Sequence, residues 1–307
     1  MPSAVDMSVT IAGRTLRNPL VTAAGTAGYV RDFVGVTDPR WLGAITTKSI
    51  TPEDREGNRP WRIIDARAGM LNAIGLANVG LERFLAEKLA EVDCRIIGSV
   101  AGHSVDDYVR VAAAFDGDSR IDLVELNLSC PNTDTGRAFG SSAGALRELL
   151  AAVRPALATT PMIVKLAPDA PDLVGLAGTA IEAGADALTL VNTMPAMAID
   201  VETRQPRLSR GSGGLSGPAL HPIAVRIVHE VHDAVARDAG VPIIGLGGVM
   251  RWQDAAELIL AGATAVGIGT ALFVDPRAPR RIGRGLAAWT ARQGAASVAE
   301  LVGRVER

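Results

Sequence analysis

The stretch Asp122-Leu-Val-Glu-Leu-Asn-Leu-Ser-Cys-Pro-Asn132 contains the strongest indication of the fold. Its first half contains the apolar residues Leu123, Val124 and Leu126, and an apolar run of this kind is typical of a parallel strand that is buried on both faces. Pro131 cannot donate to a sheet ladder and biases Cys130 towards an extended conformation, so the strand must give way to a loop here. The sequence therefore predicts a buried strand that presents a thiol and two amides at its carboxyl end, where α/β proteins usually hold their active sites.

Seven further runs of this kind follow the same pattern, and helical patterns separate most of them. The eight predicted strands cover Pro19–Gly25, Ala44–Ile50, Arg95–Ala101, Asp122–Cys130, Met162–Pro168, Ala187–Thr193, Pro242–Val249 and Ala265–Leu272. The clearest predicted helices cover Ser104–Phe115, Ala143–Leu157, Asp172–Ala183, Pro218–Ala236 and Trp252–Ala261. This alternation favours an α/β fold, a (β/α)8 TIM barrel, over a doubly wound open sheet.

The remaining segments fit a barrel with additions at both ends. Val5–Leu20 resembles an N-terminal β-hairpin around Ala12-Gly13, placed to cover the bottom of the barrel. Thr51–Val79 and Met194–Gly217 are long βα-loop insertions at the C-terminal face, where loops of this length usually act as lids or binding loops. We expect residues 1–307 to form a single domain, with two half-length domains as the alternative.

The composition excludes several classes of protein. The 307 residues have a formal net charge of −2 and no basic runs, so we expect no nucleic-acid partner. No apolar stretch approaches the roughly 20 residues of a membrane span, and the first residues lack a signal core, so a cytoplasmic location is expected. The two cysteines, Cys94 and Cys130, are too few for an iron–sulfur cluster or a structural zinc site, and we predict no metal site.

Rare residue types concentrate at the predicted strand ends. Only three of the 31 basic residues are lysines, and two of these, Lys48 and Lys165, end strands. Lysine is the compact cation whose pKa shifts readily on burial, which suits a binding site. Asn72, Asn127, Asn132 and Asn192, four of the seven asparagines, lie at strand ends or in the first long loop, as suits a ligand rich in carbonyl and imide groups.

Glycines end the last two predicted strands, in Gly245-Leu-Gly-Gly-Val249 and Gly267-Ile-Gly-Thr270. Backbone N–H groups in these positions can bind a phosphate, as the loops after strands 7 and 8 of such barrels commonly do. Tight βα turns are the alternative interpretation. Neither run satisfies G-x-G-x-x-G and the chain has no P-loop, so no Rossmann or nucleoside-triphosphate site is expected.

Four motifs together resemble dihydroorotate dehydrogenase, class 1B (NAD-dependent type) catalytic subunit. They are Met70-Leu-Asn-Ala-Ile-Gly-Leu76, Asn127-Leu-Ser-Cys-Pro-Asn132, Leu190-Val-Asn-Thr193 and Gly213-Gly-Leu-Ser-Gly-Pro-Ala219. The resemblance covers nearly the whole chain, and Met197-Ala-Ile-Asp-Val-Glu-Thr203 favours class 1B over the fumarate-using class 1A. A dihydropyrimidine dehydrogenase-like FMN barrel and a non-catalytic barrel that holds a phosphorylated ligand are the rival interpretations.

The resemblance implies oxidation of (S)-dihydroorotate to orotate, with FMN as cofactor and Cys130 as the catalytic base. The implied cofactor-binding residues are Ala24, Thr47, Lys48, Ser99, Asn127, Lys165, Val191, Gly217, Gly247, Gly248, Gly269 and Thr270. The implied substrate-binding residues are Lys48, Asn72, Ala73, Ile74, Gly75, Leu76, Asn127, Asn132, Asn192 and Thr193.

The resemblance also implies partners and leaves some positions unmatched. A homodimer, or a heterotetramer with an electron-transfer subunit that carries FAD and a [2Fe-2S] cluster and passes electrons to NAD, is expected. Ala24, Ser99, Ala196 and His221 depart from the family pattern. We expect these departures to affect tuning and partner contacts rather than the class of reaction.

Overall fold

The computed structural model describes residues 5–129 and 139–306, and eight parallel strands in this part of the chain close into a barrel. In chain order the barrel strands are Leu20–Thr22, Ala44–Thr46, Arg95–Val100, Leu123–Asn127, Met162–Leu166, Ala187–Leu190, Ile243–Leu246 and Ala265–Ile268. The eighth strand pairs with the first, Val266 opposite Leu20, which confirms the predicted barrel and excludes the open sheet. Each strand lies within a predicted run, because burial on both faces selects continuous apolar sequence.

Helices surround the barrel, and each of the five predicted helices is present, whereas the longest helix, Ala278–Arg292, was not predicted. The α-helices are Val30–Val34, Leu81–Arg83, Val105–Asp116, Ala143–Val153, Leu173–Glu182, His221–Val231, Arg237–Ala239, Trp252–Ala261, Thr270–Val274 and Ala278–Arg292. Phe84–Lys88 and His232–Ala236 are π-helical segments. The Val105–Asp116 helix begins with a capping box, in which the Ser104 hydroxyl accepts from the Asp107 N–H and the Asp107 carboxylate accepts from the Ser104 N–H. Because this reciprocal cap depends on residues close together in the sequence, the predicted start of this helix agrees with the observed one.

The N-terminal hairpin covers the bottom of the barrel as predicted. Val9–Ile11 pairs with Arg14–Leu16 around Ala12 and Gly13, which both adopt positive φ. This pair of left-handed residues makes the tight turn of a two-residue hairpin. The Arg14 side chain donates to the Asp122 carbonyl, directly before the fourth barrel strand, and this contact fixes the hairpin at the amino ends of the strands.

The two long insertions form one antiparallel sheet, which the sequence analysis did not predict. Its strands lie in the order Met194–Met197, Ser212–Ser216, Gly69–Asn72 and Ile63–Ala66, and we call it the outer sheet. Its buried face contains a small apolar cluster around Leu71 and Leu208, separate from the main core. A short pair, Ile199–Asp200 with Gln205–Pro206, extends from it. The insertions are therefore an ordered wall above the carboxyl ends of the barrel strands.

No described helix is both long enough and apolar enough to cross a bilayer.

Candidate active site

A cavity of about 330 Å3 lies between the carboxyl ends of the barrel strands and the outer sheet. Most of the residues that the sequence analysis placed at a ligand meet here. The predicted residues that line the cavity are Ala24, Lys48, Asn72, Ile74, Leu76, Asn127, Lys165, Asn192, Thr193, Gly217, Gly247, Gly248, Gly269 and Thr270. They come from both halves of the chain, and the closed barrel brings them together at one end.

The other predicted residues occupy different positions. Thr47, Ser99 and Val191 are fully buried and are not among the residues that line this cavity. Ala73 belongs to the apolar cluster under the outer sheet, and Gly75 lines an adjoining cavity that shares Asn72, Ile74, Leu76 and Asn127 with the first. Cys130 and Asn132 lie outside the described residues. Their assigned roles stay predictions.

Amide and hydroxyl groups form a connected network on one side of the cavity. The Asn192 side-chain amide donates to Asn127 Oδ1 at 3.0 Å and to Ser129 Oγ at 2.7 Å. The Asn127 amide donates in turn to Ser49 Oγ at 3.2 Å, and Ser49 contacts the Ser99 hydroxyl at 2.8 Å. Ser99 is therefore linked to the cavity through Ser49, a lining residue that the sequence analysis missed. A network of this kind holds its amides in fixed orientations.

Lys165 shares the barrel interior with a buried carboxylate, Glu125. The Lys165 ammonium lies 3.4 Å from Glu125 Oε1, and the Thr189 hydroxyl donates to Glu125 Oε2 at 2.9 Å. Lys165 is 4% exposed and Glu125 is 2% exposed. The sequence analysis missed Glu125, although an acidic residue inside an apolar run was the available signal, because buried carboxylates are rare unless they are paired.

Lys48 is a half-buried cation at the edge of the cavity. No carboxylate among the described residues lies within ion-pair distance of the Lys48 ammonium. A Cβ atom added at Gly25 would lie 3.8 Å from Lys48 Nζ. Burial lowers the pKa of Lys48, and the charge of Arg62 lowers this pKa further. A bound anion would stabilise the charged form of Lys48, so the cavity suits an anionic ligand at this end.

The glycine loop, residues 245–249, approaches its neighbours too closely for a side chain at any of its three glycines. Gly248 has a φ of +68°, and a Cβ atom there would lie 2.7 Å from the Gly217 carbonyl oxygen. Within the described residues, no acceptor takes a hydrogen bond from the backbone N–H of Gly248, Val249 or Thr270. These N–H groups can therefore donate to the oxygens of a bound phosphate.

Cys94 precedes the third barrel strand at the bottom of the barrel, away from this cavity. Burial raises the pKa of its thiol to about 12, and the Sγ atom donates to the Leu42 carbonyl at 3.5 Å. At pH 8 only about one molecule in ten thousand would carry the thiolate, which is the reactive form.

We therefore expect Cys94 to resist alkylation. In the Cys130→Ala variant, iodoacetamide at pH 8 should modify the native chain far more slowly than the unfolded chain, as followed by intact mass. Equal rates in the native and the unfolded chain would show that Cys94 is accessible.

Comparison with known proteins agrees with this geometry. The family model described as dihydroorotate dehydrogenase matches residues 6–289. The chain is 44% identical over 305 residues to the dihydroorotate dehydrogenase B (NAD(+)) catalytic subunit of Citrifermentans bemidjiense, which covers 98% of each chain. It is 42% identical over 304 residues to a putative dihydroorotate dehydrogenase A (fumarate) of Solibacter usitatus, with 98% of this chain and 99% of that protein covered.

A solved structure supports the fold independently. The crystal structure of DHODH in complex with ferulenol from Eimeria tenella superposes with a TM-score of 0.79 and 24% identity. The alignment covers 97% of this chain and 88% of that one. Together with the sequence matches, these findings establish that the chain belongs to the dihydroorotate dehydrogenase family.

Proposed function

We propose that this chain oxidises (S)-dihydroorotate to orotate in de novo pyrimidine (UMP) biosynthesis, as a single FMN-binding barrel domain over residues 1–307. The observation that carries the proposal is the convergence, on one cavity, of the phosphate-compatible glycine loop, two lysines and the amide network. The names of the relatives support the same activity. Oxidation removes a proton from C5 and a hydride from C6 of the substrate, so the site must supply a base and a hydride acceptor.

The chain's own residues divide these tasks. The glycine loop, Gly269 and Thr270 would hold the cofactor phosphate, and bound FMN would supply the hydride acceptor, its N5 atom. Lys165, at the base of the cavity, would stabilise negative charge that develops on the reduced cofactor. Cys130 would receive the C5 proton on its Sγ atom.

The amide network and Lys48 would orient the substrate. Asn72, Asn127 and Asn192 present both donors and acceptors, which match the alternating carbonyl and N–H groups of a dihydropyrimidine ring. Lys48, which has no anionic partner among the described residues, would pair with the substrate carboxylate or with charge that develops beside the cofactor. Asn132 would complete the set.

An anaerobic titration tests the proposal. We expect the purified chain to show the visible spectrum of a flavin, and dihydroorotate added without oxygen should bleach it. A flavin that stays oxidised with dihydroorotate but is bleached by dihydrouracil would indicate the dihydropyrimidine dehydrogenase-like alternative. No flavin, even after incubation with FMN, would refute the enzymatic function.

We further propose that electrons pass to NAD through a partner subunit. The relatives named catalytic subunit imply a second subunit, and the two cysteines of this chain cannot ligate a [2Fe-2S] cluster. The partner would carry that cluster and FAD, and a homodimer of this chain would form the centre of a heterotetramer. The relative named for fumarate keeps class 1A open. Reoxidation of the reduced chain by fumarate, without any partner, would favour class 1A.

A further inference from the structure

His221 contacts the back of the glycine loop rather than the cavity itself. It is the first residue of the His221–Val231 helix, and 12% of its side chain is exposed. Its Nδ1 atom lies 2.8 Å from the Gly247 carbonyl oxygen. Because a carbonyl oxygen only accepts hydrogen bonds, Nδ1 must carry a proton and donate it to Gly247. The imidazole therefore fixes the direction of the Gly247–Gly248 peptide plane.

A carboxylate orients the other edge of the ring. The His221 Nε2 atom lies 3.3 Å from Glu257 Oε2, on the helix that directly follows the glycine loop. The contact is an ion-pair distance without aligned hydrogen-bond geometry. His221 thereby connects two helices and the loop between them.

The loop itself is packed against His221. A Cβ atom at Gly248 would lie 2.8 Å from His221 Cβ and 3.1 Å from its backbone nitrogen. Glycine loses more conformational freedom on ordering than any other residue, so two adjacent glycines need external contacts to hold one conformation. His221 supplies both a hydrogen bond and a close packing surface to this pair.

We propose that His221, oriented by Glu257, is a positioning residue that holds the glycine loop in the conformation that binds the cofactor phosphate. The inference rests on the proposed function, because it assumes that the phosphate of FMN binds at this loop. A preformed loop binds more tightly, since less ordering occurs on binding. The effect of His221 should therefore be confined to ligands that carry the phosphate.

Riboflavin, which lacks the phosphate, provides the matched ligand. Dissociation constants of FMN and riboflavin for the apoprotein can be measured by quenching of flavin fluorescence, and their ratio reports the phosphate contribution. We expect His221→Ala and His221→Gln to reduce the preference for FMN about fivefold to tenfold, the value of one hydrogen bond, and to leave riboflavin affinity within about twofold.

His221→Asn is the conservative control. Its amide nitrogen stands the same number of bonds from the backbone as Nδ1, so it can donate to Gly247, whereas the glutamine amide corresponds to Nε2. The asparagine variant should therefore retain most of the preference for FMN. Glu257→Gln should reduce the preference only about twofold, because 54% of the Glu257 side chain is exposed and its charge is screened.

The outcomes separate the two proposals. Wild-type chain that binds neither flavin would overturn the proposed function and this inference with it. If the wild-type chain prefers FMN and every His221 variant keeps the same preference, the inference about His221 is overturned and the proposed function stands. Equal weakening of both flavins in His221→Ala, or a lowered thermal midpoint in all three His221 variants, would show a general structural role and would also overturn it.

Discussion

Replacing Cys130 with alanine is expected to leave the protein yellow but to slow its reduction by dihydroorotate at least about a hundredfold, the usual contribution of a positioned base. The residue comes three positions after the fourth barrel strand, whose last residue, Asn127, lines the cavity, and the intervening Ser129 belongs to the amide network. Anaerobic stopped-flow spectroscopy measures this step directly. Loss of flavin binding in the variant would mean that Cys130 is structural, and an undiminished rate would exclude it as the base.

The proposed role of Cys130 as the base also predicts the direction in which the rate of flavin reduction changes with pH. A thiol accepts a proton only as its thiolate, and the ordinary pKa of cysteine is about 8.5. The rate of flavin reduction should therefore rise with pH until the thiolate is fully formed. Cys130→Ser has a similar shape but a far weaker acid, so its rate should continue to rise beyond that pH. A flat profile for the chemical step in the wild-type chain would contradict the assignment.

Glu125→Gln is expected to lower the free energy of unfolding by about 3–5 kcal/mol, because it leaves the buried Lys165 ammonium without its counter-charge. Glu125 is 2% exposed and accepts from both Lys165 and Thr189, so water cannot replace the lost charge. Urea unfolding of the apoprotein measures the loss. If the variant binds FMN, its midpoint potential should rise, since an uncompensated cation stabilises the reduced, more negative cofactor.

Two further variants distinguish the contribution of the Glu125–Lys165 ion pair to stability from that of the hydrogen bond to Thr189. Thr189→Val removes one hydrogen bond to Glu125 and should cost only about 1 kcal/mol. The double variant Glu125→Gln with Lys165→Met removes both charges, so it should recover most of the stability that Glu125→Gln loses. Its midpoint potential should not be raised, because the cation is gone. If Glu125→Gln were no less stable than Thr189→Val, the Glu125–Lys165 contact would not be an ionised pair.

The barrel could be predicted from the sequence because each of its strands is locally distinctive. Runs such as Met162–Leu166 are buried along their whole length, and this environment selects continuous apolar residues. Polar residues at the ends of such runs, among them Lys48, Lys165 and Asn192, could be assigned to one edge, since parallel strands share a direction. For the same reason most of the predicted lining residues do meet at the cavity.

The outer sheet could not be predicted in this way. Gly69–Asn72 and Ser212–Ser216 are short, rich in glycine and without clear alternation, so nothing local distinguishes them from loops. They become strands because they pair with each other, and Asn72 is 142 residues from its partner Gly214. Glu125 was missed for a related reason: its partners Lys165 and Thr189 lie on other strands, and only barrel closure reveals them.

The pairing of Gly69–Asn72 with Ser212–Ser216 also limits which insertions and deletions the outer sheet can accept during evolution. Successive side chains of a strand point to opposite faces, so a one-residue deletion beside either strand would exchange the cavity-facing side chains for those on the other face. A deletion beside Gly69–Asn72 would therefore move Asn72 out of the cavity, and a deletion beside Ser212–Ser216 would move Ser216 out. Length changes are best tolerated in the exposed turn at residues 201–204, because Leu208 in the same connection packs under the outer sheet.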